Sequence, residues 1–367
     1  FLANPNYIPS IIEGGQKFNI QNLDLNTEGS DFGGTLQGDN LYITSSRNSQ
    51  RRTYGWNNEP FLDIYKFNVT DEGAYVAEQL MGPNVNTQYH EGIVSFSPDG
   101  NTMYFSRESF YEKEYVKDSL SRNKFSVLQL FKVEKQGSGW SEATPLSLNS
   151  QLYSVKNPAL SADGGTLYFS SDMPNGYGGF DIYKAALNTD GSVGEAINLG
   201  QRVNTEGHEM FPFASASGTL YFSSDGHLGL GGMDVFFTNE IDGKTTQVRS
   251  AGIPVNSAAD DFAFRIDEEN GTGFVSSNRP GGKGKDDVYL LKQLEPVCEV
   301  AVLVTVKDAK TSQVLSGAIV NLRDTNDNLI YTATSDGNGQ VSFDLPCDVN
   351  SILQGSLTDY ESGSLEL

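Results

Sequence analysis

The chain has 367 residues, 47 acidic against 25 basic, for a formal charge of −22. That balance excludes binding to nucleic acid or anionic lipid through a general basic field. With 37% hydrophobic residues, 39 Gly, 17 Tyr and 21 Phe, it also excludes disorder and predicts short strands joined by glycine turns. No apolar run approaches the ~18–20 residues that a membrane-spanning helix needs. The chain starts at Phe1 with no charged segment leading into an apolar one, so a mature or excised piece is expected.

Residues 1–16 read as an N-terminal extension. Beyond them, Lys17 to Leu25 carries Phe18, Ile20, Leu23 and Leu25, the spacing of an outer strand. An apolar-Asn-Ser/Thr signature then recurs around Asn26, Asn86, Asn149, Asn204 and Asn256, in steps of 60, 63, 55 and 52 residues. Each copy is followed by a strand signature ending at Thr44, Ser106, Ser170, Ser223 or Ser276. A third signature closes each unit, beginning at Asp63, Gln129, Asp181, Asp234 or Asp287. Asp-Gly turns such as Asp99-Gly100 and Asp163-Gly164 supply the positive φ of tight hairpins.

Four antiparallel strands per unit, five times over, predict a five-bladed β-propeller spanning residues 17–293. The fifth unit runs into Glu295-Pro296 without a fourth strand, so residues 17–25 are expected to complete the last blade. Residues 294–367 change pattern. Val300, Val302, Val304 and Val306 alternate, and further short strands follow, predicting a small β-sandwich. The fold class is therefore all-β.

The candidate chemistry is sparse. Counting five residues from each signature Asn gives Asp31, Glu91, Ser154, Glu209 and Asp261, near the start of each innermost strand. Two or three such acids could hydrolyse a glycoside. Catalytic sets break repeat symmetry, whereas these obey it, so caps for backbone N–H groups and hydroxyls are expected. His90 and His208 precede two of the acids but lie in non-adjacent repeats, which favours hydrogen-bonded histidines over metal ligands. The Asp of the third signature should hold loop N–H groups as in Asx turns. Asp324 to Asn328 lacks the glycine and the glutamate of a calcium loop and reads as a hairpin turn. No catalytic residue, cofactor or metal is expected.

Two inserted loops break the pattern. One holds Arg47, Arg51, Arg52 and Trp56; the other, Glu108 to Lys124, holds Phe110, Tyr111 and Tyr115. Propeller strand order puts both on one face, and Arg, Tyr and Trp dominate interface energetics. Arg51, Arg52, Trp56, Tyr111 and Tyr115 are therefore the expected partner-binding residues, the alternative being a self-packed loop. Cys298 precedes the first sandwich strand and Cys347 follows the strand ending at Pro346. A disulfide between them is expected, two separate thiols being the alternative.

The runs Phe96 to Ser106 and Thr166 to Asp172 resemble the PD40, or TolB-type, propeller repeat. The Gly-Gly-x-Asp-Ile/Val-Tyr/Phe endings resemble copies in Bacteroidetes envelope proteins of the OmpA family. The Asp-Gly-Asn-Gly run ending at Pro346 and the late Tyr360 resemble a carboxypeptidase regulatory-like domain, which implies a transthyretin-like β-sandwich for residues 294–367. In that order the two parts resemble the middle of PorE-type proteins of the type IX secretion system. That family usually adds a helical TPR region before the propeller and an OmpA-like peptidoglycan-binding domain after the sandwich; neither pattern occurs within these residues.

The resemblance implies a non-catalytic scaffold in the periplasm, associated with the outer membrane. Its partners would be outer-membrane and periplasmic proteins of the secretion and gliding machinery. Asp118-Ser119-Leu120 fits the pattern of Bacteroidetes O-glycosylation at Ser119. The competing function is a carbohydrate-active propeller enzyme working through Glu91 and Glu209.

Overall fold

The computed structural model describes residues 8–9, 11, 16–117, 124–188, 191–241, 244–294, 299–324, 327, 329–346 and 350–367. Cys298, Cys347 and Ser119 lie outside the described residues. The chain divides into one unit of Phe1–Thr238 with Val248–Glu295, and another of Asn239–Gln247 with Pro296–Leu367.

The first unit is built from antiparallel sheets that each run inner, second, third and outer strand. Sheet one is Asp31–Gln37, Asn40–Ser45, Asp63–Val69 and Tyr75–Leu80. Sheet two is Glu91–Phe96, Thr102–Glu108 and Leu128–Gln136, with Gly139–Trp140 and Thr144–Pro145 sharing its outer edge. Sheet three is Val155–Leu160, Thr166–Ser171, Asp181–Ala186 and Ile197–Asn198. Sheet four is Glu209–Ala214, Leu220–Ser224, Asp234–Thr238 and Arg249–Ser250. Sheet five is Asp261–Asp267, Thr272–Ser277 and Asp287–Gln293, and its outer strand is Phe18–Asn22 from the start of the chain. Each inner strand packs beside the next, and that of sheet five beside that of sheet one, so the sheets form the closed ring of a propeller.

Apolar alternation explains the core. Between sheets one and two, Tyr42, Ile64 and Met81 bury against Met103, Phe105 and Phe131, and similar clusters fill the other junctions. The signature Asn adds a polar joint at every junction. Its amide Nδ2 donates to the carbonyl, and its Oδ1 accepts the N–H, of one residue in the preceding third strand. The pairs are Asn86 with Ile64, Asn149 with Leu130, Asn204 with Ile182, Asn256 with Val235 and, closing the ring, Asn26 with Val288, all at 2.7–3.0 Å.

Every inner strand also carries a bulge, at Gly33, Ile93, Asn157, Phe211 and Ala263, each with positive φ between 42° and 75°. Bulges bend a strand and re-aim its side chains. At three of the five bulges a hydroxyl of the middle-strand signature satisfies the freed amide. Gly33 N donates to Ser276, Ile93 N to Thr44 and Asn157 N to Ser106, at 2.8–3.0 Å. The bulges and their neighbours narrow the axis with Phe32, Ile93, Phe211 and Phe262. Arg265 Nη2 bonds the Val94 carbonyl at 3.0 Å, joining two sheets that are not neighbours in the ring.

The second unit contains a two-stranded sheet, Glu299–Thr305 with Gln340–Pro346. A four-stranded sheet runs Leu329–Thr334, Ile319–Asp324, Ser351–Ser356, Gly363–Glu366. Val320, Leu322 and Leu353 of one sheet bury against Val341 and Phe343 of the other.

Candidate functional site

The acids at the inner-strand starts are caps. Asp31, Glu91, Glu209 and Asp261 each accept the backbone N–H and the hydroxyl of the Thr or Ser four residues earlier, at 2.6–2.9 Å. Their remaining valences meet a second donor: Arg47 on Asp31 at 2.8 Å, Arg107 on Glu91 at 3.4 Å, Ser224 on Glu209 at 2.6 Å, and Arg279 on Asp261. Burial pushes the Glu91 carboxyl up to about 8. In sheet three the strand register aligns Val155, not Ser154, with the acids. The count of five residues slips there because the loop after Asn149 is one residue longer. Ser154 occupies the position before the acid, where its Oγ accepts Leu128 N at 3.2 Å.

That preceding position explains the histidines. His90 Nδ1 accepts Leu62 N and His208 Nδ1 accepts Phe180 N, both at 3.1 Å, as Asp260 accepts Met233 N at 2.9 Å. They tie the inner strand to the third strand of the preceding sheet. No group of three or more His, Cys, Asp or Glu fit to hold a metal occurs among the described residues.

His90 packs on Tyr54 and Phe61, and burial lowers its pKa from 6.5 to about 4. As pH falls through that window the unfolded chain takes a proton that the folded chain refuses, so stability falls. The slope is at most about 1.4 kcal/mol per pH unit. The stability advantage of wild type over His90→Gln, measured by urea unfolding, should shrink as pH falls across this window. A constant difference would contradict the assignment.

The signature Asp works as an Asx-type cap in three sheets. Asp181 accepts Tyr177 N and Gly178 N, Asp234 accepts Leu230 N and Gly231 N, and Asp287 accepts Lys283 N and Gly284 N. In sheet one the glycine loop is absent and Arg51 replaces it, bonding Asp63 through Nε and Nη2 at 2.6–3.1 Å. This corrects the expectation that Arg51 faces a partner: its guanidinium is the donor that the loop backbone supplies elsewhere. Arg47 is likewise drawn inward, stacked on Tyr65 and Phe67.

The other loop residues face solvent. Trp56 is 88% exposed and Arg52 is exposed. Tyr111 is half-exposed against the Arg107 guanidinium, and Lys124 Nζ lies 4.0 Å from the centre of the Tyr115 ring. A run of ring contacts, Tyr54–Phe61–Tyr89–Phe110–Tyr115, joins the two loops at centroid spacings of 5.4–6.1 Å. Sequence reasoning missed Arg107 and Arg279 as partners of the acids; the signal was an Arg sixteen or eighteen residues after an acid, an offset that varies between repeats.

No family model and no curated protein matches the chain. Solved structures similar to it include TolB from Acinetobacter baumannii, at 12% identity and TM-score 0.39, covering 78% of this chain and 60% of that one. They include a putative TolB from Agrobacterium tumefaciens, at 13% identity and TM-score 0.41, covering 89% and 95%. An α-L-arabinofuranosidase from Podospora anserina is similar at 10% identity and TM-score 0.47, covering 79% and 100%. The chain thus spans less than two thirds of the first of these. At such identities the likeness is one of fold and assigns no activity.

Proposed function

We propose that the chain is a non-catalytic protein-interaction scaffold of the cell envelope, a five-bladed propeller followed by a transthyretin-like sandwich. In this reading it sits in the periplasm against the outer membrane and serves the type IX secretion and gliding machinery. Its partners are outer-membrane and periplasmic proteins of that machinery. The observation that carries the reading is the joined pair of irregular loops, which presents Trp56, Arg52, Tyr111 and Tyr115 where the repeat's own bonding pattern is broken. Aromatic and Arg side chains of this kind anchor protein interfaces. The repeated acids support it too, since their oxygens are engaged within their own repeats.

Recovery of envelope proteins on the immobilised chain tests this. Arg52→Ala with Trp56→Ala should leave stability within about 0.5 kcal/mol and cut recovery. Arg51→Ala should instead cost about 2 kcal/mol, because it strips Asp63 of a charged donor. Undiminished recovery with the double variant would overturn the docking site. Glycan turnover abolished by Glu209→Gln at unchanged fold would replace the scaffold with the carbohydrate-active enzyme.

A further inference from the structure

Breaks in the repeat converge at a second place, on the propeller axis. In four sheets a short polar side chain follows the second strand and accepts the N–H of the residue before the inner strand. Ser46 accepts Ser30 N, Asp172 accepts Ser154 N, Asp225 accepts His208 N and Asn278 accepts Asp260 N, at 2.6–2.8 Å. Sheet two has Glu108 at this position. Its longer side chain still meets the His90 N–H, Oε1 accepts the Ser126 hydroxyl at 2.5 Å, and Oε2 is buried without a hydrogen bond of normal geometry.

The inner strands show the same departure. The residue before the bulge is Phe32, Gly92, Met210 or Phe262 in four sheets but Lys156 in sheet three. The bulge itself is Gly33, Ile93, Phe211 or Ala263 against Asn157, whose Oδ1 is also buried without a partner. Glu108, Lys156 and Asn157 line a single pocket of about 410 Å³, whose apolar wall includes Phe32, Ile93 and Phe211. No ion pair joins Glu108 to Lys156, and the Lys156 ammonium lies 3.6 Å from the centre of the Phe180 ring.

We propose that this pocket binds a free α-amino acid, its ammonium received by Glu108 and Asn157 Oδ1 and its carboxylate by Lys156. The inference goes beyond the scaffold reading and does not rest on it. A simple cation would meet Lys156 and a simple anion would meet Glu108; a zwitterion answers both. The size lies within the ~300–1,000 Å³ of small-molecule sites, and the apolar wall suits an aliphatic side chain. Burial disfavours each charge, raising the Glu108 pKa and lowering that of Lys156 to about 8 even with Asp172 nearby. An opposite charge on the ligand reverses both effects. Buried acceptors left open are few in native structures and each calls for an explanation.

Calorimetric titration of the whole chain with leucine, N-acetyl-leucine, leucine amide and glucose tests the proposal. Leucine should bind, and blocking either end should weaken binding by at least about tenfold, the loss of one charged contact. Glu108→Gln and Lys156→Met should each cause a similar loss at an unchanged melting temperature. Absence of binding by leucine, its D-enantiomer and methionine at millimolar concentration would overturn the site, as would equal binding of the blocked forms or of glucose. These comparisons use wild-type protein, so they decide the matter even where a variant fails to fold.

Discussion

Deleting residues 17–26 is expected to unfold the first unit and not merely to shorten it. The segment supplies the outer strand of sheet five, paired from Phe18 opposite Gln293 to Asn22 opposite Tyr289. It also carries Phe18 and Leu23 into the core, and Asn26 onto Val288. Losing a buried Phe costs about 3–5 kcal/mol and a buried Leu about 2–5 kcal/mol. Two hydrogen bonds and an exposed strand edge add to that. The sum is comparable with the whole stability of a typical domain, about 5–15 kcal/mol. The truncated protein should aggregate or melt without a cooperative transition. A variant as soluble and heat-resistant as the parent would show that the ring does not depend on this strand.

The second large effect is expected at Arg279. Its guanidinium binds the fully buried Asp261 and the carbonyls of Pro254 and Val255, and lies over the Tyr289 ring. Arg279→Met leaves the carboxylate buried with only its Ser257 cap, a change that costs about 3–5 kcal/mol when one partner of a buried pair is removed. Adding Asp261→Asn removes the stranded charge and should recover much of the loss. Urea unfolding of the two variants is the measurement. A single-variant loss below about 1 kcal/mol would mean that the pair is not what holds this corner.

Much of the architecture was legible because the repeat writes each structural task at a fixed offset. The signature Asn, the acid after it and the Asp of the third strand recur in order, and each proves to satisfy backbone groups. What escaped notice depends on offsets that drift. The loop before Val155 is longer by one residue, so counting landed on Ser154. Arg51 looked like a surface cation because its partner, Asp63, had been read as a glycine-loop cap, and in sheet one there is no such loop. Glu108 ends the second strand of sheet two while Lys156 and Asn157 lie on the inner strand of sheet three, and only the ring brings the two strands to one pocket. The same criterion of broken symmetry that argued against Glu91 and Glu209 singles them out.

The joint made by the signature Asn is blind to the side chain it meets. Toward the third strand its amide reads the N–H and C=O of the receiving residue, which is Ile64, Leu130, Ile182, Val235 or Val288, and in three sheets Nδ2 also donates to an outer-strand side chain, Asn22, Asn198 or Ser250. The receiving residue of the third strand can therefore change its side chain without breaking this pair of hydrogen bonds. The joint tolerates such changes, while the loops of each copy are free to diverge. A fold joined in this way can accumulate differences such as the inserted loops of sheets one and two without renegotiating its assembly.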